Sequence, residues 1–136
     1  MYKKRLFEKI IDLNKSQDYQ CSEIEAKDSI IKYLNQILSI RRGSCIINKD
    51  FGINDIFDLY SSSFNHFMQK AQDEVKTAIS NYEPRLKDII VEFNDKNEEN
   101  LYYNFKIKGH LISDYNTKIN LNSTINLNGN INISKN

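Results

Sequence analysis

An α+β fold, with helices packed on an antiparallel sheet of three or four strands, follows from three features of the sequence. Apolar residues recur at helical spacing through the first part of the chain, they alternate with a period of two through the last part, and the only proline, Pro84, stands between the two regimes. Because the residue before a proline is driven out of the helical region, the helix reaching this boundary should stop near Tyr82 and leave Glu83 extended. The chain therefore reads as one domain over 1–136. An N-terminal helix and linker occupy 1–20, a helical half 22–82 and antiparallel strands 86–134.

The first helix rests on Leu6, Phe7, Ile10, Ile11 and Leu13, and the polar residues Asn14 to Gln20 detach it from the rest of the helical half. Ser22 with Glu25 three residues later has the form of a capping box, after which Ile30, Ile31, Leu34, Ile37 and Leu38 make one apolar stripe. This second helix is expected to end near Arg41-Arg42-Gly43, with basic residues in its last turn and glycine in a left-handed cap. Ser44 to Ile47 reads as a short extended piece and Asn48-Lys49-Asp50-Phe51-Gly52 as a turn. A third helix begins around Ser62 or Ser63, and Phe64, Phe67, Met68, Ala71, Val75, Ala78, Ile79 and Tyr82 hold helical spacing to the proline.

Beyond Pro84 the period is two. Ile89, Val91 and Phe93 alternate up to a polar turn over Asn94 to Asn100, and Leu101, Tyr103, Phe105, Ile107 and Leu111 alternate around Gly109. After Ser113-Asp114-Tyr115-Asn116, the residues Ile119, Leu121, Ile125 and Leu127 alternate with asparagines, and Asn128-Gly129 signals a hairpin before Ile131 and Ile133. Strands so rich in asparagine have low intrinsic propensity and depend on their neighbours. The stretch 118–133 carries Lys118 as its only lysine, so an edge formed here, with Asn122 and Asn126 on its outward side, would be poorly defended against pairing with another chain.

Composition excludes several classes of function. Nineteen basic against eighteen acidic residues give a net charge of +1, which makes no electrostatic case for nucleic acid or membrane. The apolar N-terminal residues are interrupted by Glu8, Lys9 and Asp12, so no secretory leader is read, and no apolar run reaches membrane-spanning length. Cys21 and Cys45 are isolated, which points to reduced thiols in a cytosolic protein rather than to a disulfide or a zinc site. His66 lies off its helical stripe and His110 in the polar phase of its strand, so both read as solvated. Ser44 and Cys45 have no histidine or acid placed to activate them, and Asp95, Glu98 and Glu99 fall in a turn where carboxylates are ordinarily solvated.

The one distinctive polar group is Glu83-Pro84-Arg85-Leu86. In extended chain Glu83 and Arg85 point one way and Pro84 and Leu86 the other, and an arginine fork held there can take a carboxylate bidentately. The plain alternative is an exposed ion pair at a corner, contributing little to stability. A muramidase would need a carboxylic acid of raised pKa facing a second carboxylate, and an arginine two residues from Glu83 acts in the opposite direction.

The segment Ile40-Arg41-Arg42-Gly43-Ser44-Cys45-Ile46-Ile47-Asn48-Lys49-Asp50-Phe51-Gly52-Ile53, then a long helix closing on Tyr82-Glu83-Pro84-Arg85-Leu86, resembles the TssE family of type VI secretion baseplate proteins. That family is itself similar to the contractile-phage wedge protein that initiates the tail sheath. The resemblance spans Leu6 to Ile133, and the asparagine-rich strands are its main departure. It implies a structural role without catalysis or cofactor. The family's Arg-Arg-Gly-Ser segment falls on Arg41, Arg42, Gly43 and Ser44, and its Glu-Pro-Arg motif on Glu83, Pro84 and Arg85, with Leu86 following. These are the implied partner-binding residues. The implied partners are the helical bundle of the larger wedge subunits and, through the C-terminal strands, the first sheath subunits, in a cytoplasmic baseplate docked on a membrane. A phage-tail wedge protein and a soluble anti-adaptor-type regulator are the alternatives that share this fold.

Overall fold

Four antiparallel strands follow one another across a single sheet in the order β1 (Leu86–Asn97), β2 (Tyr102–Leu111), β3 (Lys118–Asn126) and β4 (Ile131–Lys135). Helices α1 (Leu6–Leu13), α2 (Glu23–Leu38) and α3 (Phe64–Tyr82) precede them, as the change of period at Pro84 requires. The structure, a computed structural model, describes residues 5–13, 23–54, 63–97, 102–114, 116–126 and 130–135. The Ser22 half of the capping box, the linker over 14–20, Cys21, Leu101, the Asn128-Gly129 turn and the carboxylates of Asp95, Glu98 and Glu99 lie outside the described residues and side chains.

Alternation places Phe105, Ile107, Leu111, Ile119, Leu121 and Ile125 on the buried face of the sheet, while the residues between them stay partly or fully exposed. Ser123 takes a buried position on the same face and donates to the Phe105 carbonyl at 3.4 Å. The helices cover this face. α3 packs on β1, and α2 packs on β4 and α3. Phe67, Met68, Ala71, Val75, Ala78 and Ile79 of α3 and Ile30, Leu34 and Leu38 of α2 meet the sheet in one core. Phe67 stacks edge-on to Tyr103 at 5.9 Å, and Phe93 to Phe105 at 5.6 Å.

β1 departs from strict alternation at its start. Leu86 pairs with Leu111 and Lys87 with His110, the register then shifts, and pairing resumes at Ile90 with Lys108. Asp88 takes a positive φ of 52° at this bulge, a conformation that aspartate tolerates better than most residues. The extra residue brings Ile89 onto the buried side that Leu86 already occupies. Pro84 and Arg85 form a turn, the Leu86 N–H reaching the Glu83 carbonyl at 3.3 Å, so Leu86 is not on the side of exposed Pro84, where simple alternation put it.

Two further expectations change. α2 stops at Leu38 with no basic residue in its last turn, and Arg41 instead forms a parallel bridge to Ile53. Gly43 has a φ of +87°, but it opens a loop, donating from its N–H to the Lys49 carbonyl at 2.9 Å. Asn122 and Asn126 do not border solvent on an edge. They belong to β3, which is paired on both sides, and the C-terminal edge is β4.

Candidate functional site

Pro84 ends α3 as its ring demands, and Glu83 becomes the C-cap at φ −115° and ψ 85°, its N–H reaching the Ile79 carbonyl at 2.9 Å. This cap turns the Glu83 side chain inward, to zero exposure. A buried carboxylate has to be paired, and Arg85 supplies both donors of its fork: Nε to Oε1 at 2.8 Å and Nη2 to Oε2 at 2.9 Å. The Arg85 backbone N–H adds a third bond to Oε1 at 3.1 Å. Glu83 and Arg85 point the same way, although they do so across a turn and not in the extended chain that the spacing implies. Both look into the molecule, and the Arg85 side chain keeps only 12% exposure.

The pair continues into the helices. Arg85 Nη1 donates to the Ser29 hydroxyl at 2.6 Å, and Ser29 donates to Glu8 Oε2 at 2.6 Å. The Arg5 backbone N–H reaches the same Glu8 oxygen at 3.0 Å, its guanidinium donates to the Tyr82 carbonyl at 3.3 Å, and it lies over the ring of Tyr33. One chain of hydrogen bonds thus ties α1, α2, the end of α3 and the start of β1. Burial raises the pKa of the Glu8 carboxyl, but the Ser29 hydroxyl, the Arg5 amide and the charges of Arg85 and Lys32 outweigh it, so the group lies below its ordinary value.

The second motif region is built differently. Arg41, Arg42, Gly43 and Ser44 are all exposed, and the loop they open is closed by backbone bonds: Arg42 N–H to the Ile53 carbonyl at 2.7 Å and Ile53 N–H to the Ile40 carbonyl at 2.9 Å. The return requires Gly52, whose φ is +104° and whose missing Cβ would stand 2.5 Å from the Ile40 carbonyl oxygen. Glu74 of α3 holds the loop from below, accepting from Arg42 at 3.4 Å and from the Asn54 N–H at 2.9 Å. Phe51 stacks edge-on to Tyr82 at 4.7 Å, and the Tyr82 hydroxyl donates to the Asp50 carbonyl at 3.2 Å. Tyr82 is therefore the residue that joins the loop to the corner. At the loop's tip Ile46 and Ile47 stand 95% and 98% exposed.

Beside the corner an open, mainly apolar groove of about 320 Å³ runs between Ala26 and Ile30 of α2, Pro84 and Arg85, and Leu111 at the end of β2 with Ile112 and Ser113 after it. Ile112 is half exposed there.

A family model described as baseplate wedge protein gp25 matches residues 24–116, a stretch that holds the loop, the groove and the corner. The chain belongs to this family. Two solved structures share the fold of this wedge protein. A chain of the baseplate complex from the type VI secretion system aligns with a TM-score of 0.62 at 18% identity, over 75% of this chain and 93% of that one. A Geobacter sulfurreducens protein described as a tail lysozyme aligns with a TM-score of 0.58 at 22% identity, over 87% of this chain and 96% of that one. No curated protein matches the chain.

For this wedge protein the corner offers no acid and base of the kind glycoside hydrolysis needs. Glu83 has no exposure and both of its oxygens are taken by Arg85, while Glu8, the carboxylate nearest to it in the network, is shifted down rather than up. His66 is exposed, and His110 lies 4.0 Å from Asp88 at the strand bulge, away from the network. Cys45 is a free thiol in the loop. Sequence reasoning missed Arg5, Glu8, Ser29 and Ile112, whose only sequence signal is weak: a polar Ser29 on the otherwise apolar side of α2.

Proposed function

We propose that this chain is a non-enzymatic structural component of the baseplate of a contractile injection machine of the type VI kind, linking the wedge to the sheath and initiating sheath assembly. The observation that carries this reading is that the wedge-family match covers both motif regions, and these form one surface through Tyr82. In this reading the exposed Arg41, Arg42, Gly43, Ser44 and Pro84 touch a partner, whereas Glu83, Arg85 and Leu86, which the family resemblance also put among the partner-binding residues, act from beneath by setting the shape of the corner.

The partner at this surface is a helical segment of the larger wedge subunits, lodging an apolar side chain in the groove lined by Ala26, Ile30, Pro84 and Ile112. The sheath partner adds a strand at the C-terminal edge of the sheet. No cofactor is needed. The protein acts in the cytoplasm, in a membrane-docked baseplate assembly. Among the described residues, no helix is long and apolar enough to cross a membrane.

The test is co-purification with the products of neighbouring genes, larger wedge subunits on this reading, using the unmodified chain and Ile112→Asp. A charge in a half-exposed groove position leaves folding nearly intact but should cost roughly tenfold or more in binding. Equal capture of both, or capture of neither, would overturn the groove reading. Neighbouring sheath genes distinguish a baseplate component from a soluble regulator, and release of muropeptides, lost in Glu83→Gln, would point to a muramidase instead.

A further inference from the structure

β4 is one of the two edges of the sheet, and α2 packs against it. Asn35 donates from Nδ2 to the Ile133 carbonyl at 3.0 Å, and its Oδ1 accepts the Ile133 N–H at 2.7 Å. One side-chain amide thus makes both of the bonds that a neighbouring strand would make at this residue. Ile133 sits at the centre of β4, whose pairing with β3 runs from Ile131 to Lys135. Since Ile133 turns its backbone away from β3, Ile131 and Lys135, two residues to either side, do so as well. Among the described residues, neither of their outward backbone groups has a partner. Asp28, two helical turns before Asn35 on the same face of α2, reaches the Lys135 side chain at 2.5 Å and holds the strand's end.

We propose that Asn35 is an edge guard, whose amide stands in for a next strand and prevents β4 from pairing with β4 of a second copy of this chain. The strand invites that pairing. Ile131-Asn132-Ile133-Ser134-Lys135 has apolar residues on one face and a single charge, so two copies related by a two-fold axis through Ile133 would align Ile133 with Ile133, and Ile131 of each with Lys135 of the other. Natural edges are usually protected by charge, proline or a bulge. Here the protection comes from a helix, through a group that matches the backbone in both donor and acceptor. The guard goes beyond the baseplate reading and holds whichever machine the chain serves. It also sets a condition on any strand added at this edge, which must replace both bonds to Ile133.

Sedimentation of Asn35→Ala against the unmodified chain tests the guard. Removing two backbone-type hydrogen bonds from the blocked edge should strengthen self-association about tenfold or more. A folded variant that sediments as the unmodified chain does overturns the proposal. A second measurement needs no variant: amide exchange in the unmodified protein should be slower at Ile133 than at Ile131 and Lys135. If the three exchange alike, Asn35 does not hold the edge and the proposal fails.

Discussion

The corner at Glu83-Pro84-Arg85 and the loop at Arg41–Gly52 are both short polar motifs, yet they hold their shapes by opposite means. At the corner, side-chain charges are buried and the backbone follows them, with Glu83 wholly inside and Arg85 joined to Ser29 and Glu8. In the loop, backbone bonds and two positive-φ glycines fix the path, and most of the charged and apolar side chains are left outside. An arginine in a motif can therefore be a framework element or a contact element, and residue type alone does not say which.

Arginine truncation separates the two regions most sharply. Arg85→Ala leaves the Glu83 carboxylate buried with the backbone N–H of residue 85 and the Arg5 guanidinium at 3.9 Å as partners, and should cost about 3–5 kcal/mol. Arg42→Ala removes a 3.4 Å pair to Glu74 from a side chain 41% exposed and should cost about 0–1 kcal/mol. Urea unfolding of both variants decides the matter. If they unfold alike, the corner is not an internal brace, and the contrast with the loop disappears.

The loop has its own weak point in the backbone. At Gly52 an added Cβ would meet the Ile40 carbonyl at 2.5 Å in a conformation that already disfavours side chains, so Gly52→Ala should cost at least about 1–3 kcal/mol and break the bond between Ile53 and Ile40. Gly43→Ala has a similar φ but nothing within 4 Å, so it should cost only the backbone term, about 1–2 kcal/mol. Equal unfolding midpoints for the two variants would mean that the close approach at Gly52 relaxes, and that the loop is less rigidly fixed than the corner.

Much of this was legible in the sequence because it is local. The end of α3, the inward stripes of α2 and α3 and the alternation of β2 and β3 follow from periods and from one proline. The expectation of an exposed arginine failed because the residues that bury it are remote: Ser29 lies 56 positions from Arg85, and Arg5 lies 77 from Tyr82. Simple alternation puts Leu86 on the wrong side because residues 83–86 make a turn, closed by the Leu86 N–H on the Glu83 carbonyl, rather than extended chain. The C-terminal edge reads as undefended because its guard is Asn35, 98 positions from Ile133. Spacing along a chain reports one element at a time, and each of these errors arises where two elements meet.

Acid should loosen the corner by a smaller amount, through α1. The Glu8 carboxyl has its pKa lowered in the folded chain from an ordinary value of 4.5, burial opposing the shift while Ser29, Arg5, Arg85 and Lys32 impose it. A carboxyl with a depressed folded pKa contributes stability that is complete above its unfolded value and is lost as pH falls through the folded one. Glu8→Gln keeps an oxygen to accept from Ser29 and from the Arg5 amide but lacks the charge, so it isolates the electrostatic part. The unmodified chain should be modestly more stable than Glu8→Gln near neutral pH, and the two should converge in acid well below 4.5. Unfolding curves for both across that range measure the difference. A gap that persists unchanged in acid would show that the carboxylate charge does not hold α1 to the corner, leaving the framework there to Glu83, Arg85 and Ser29.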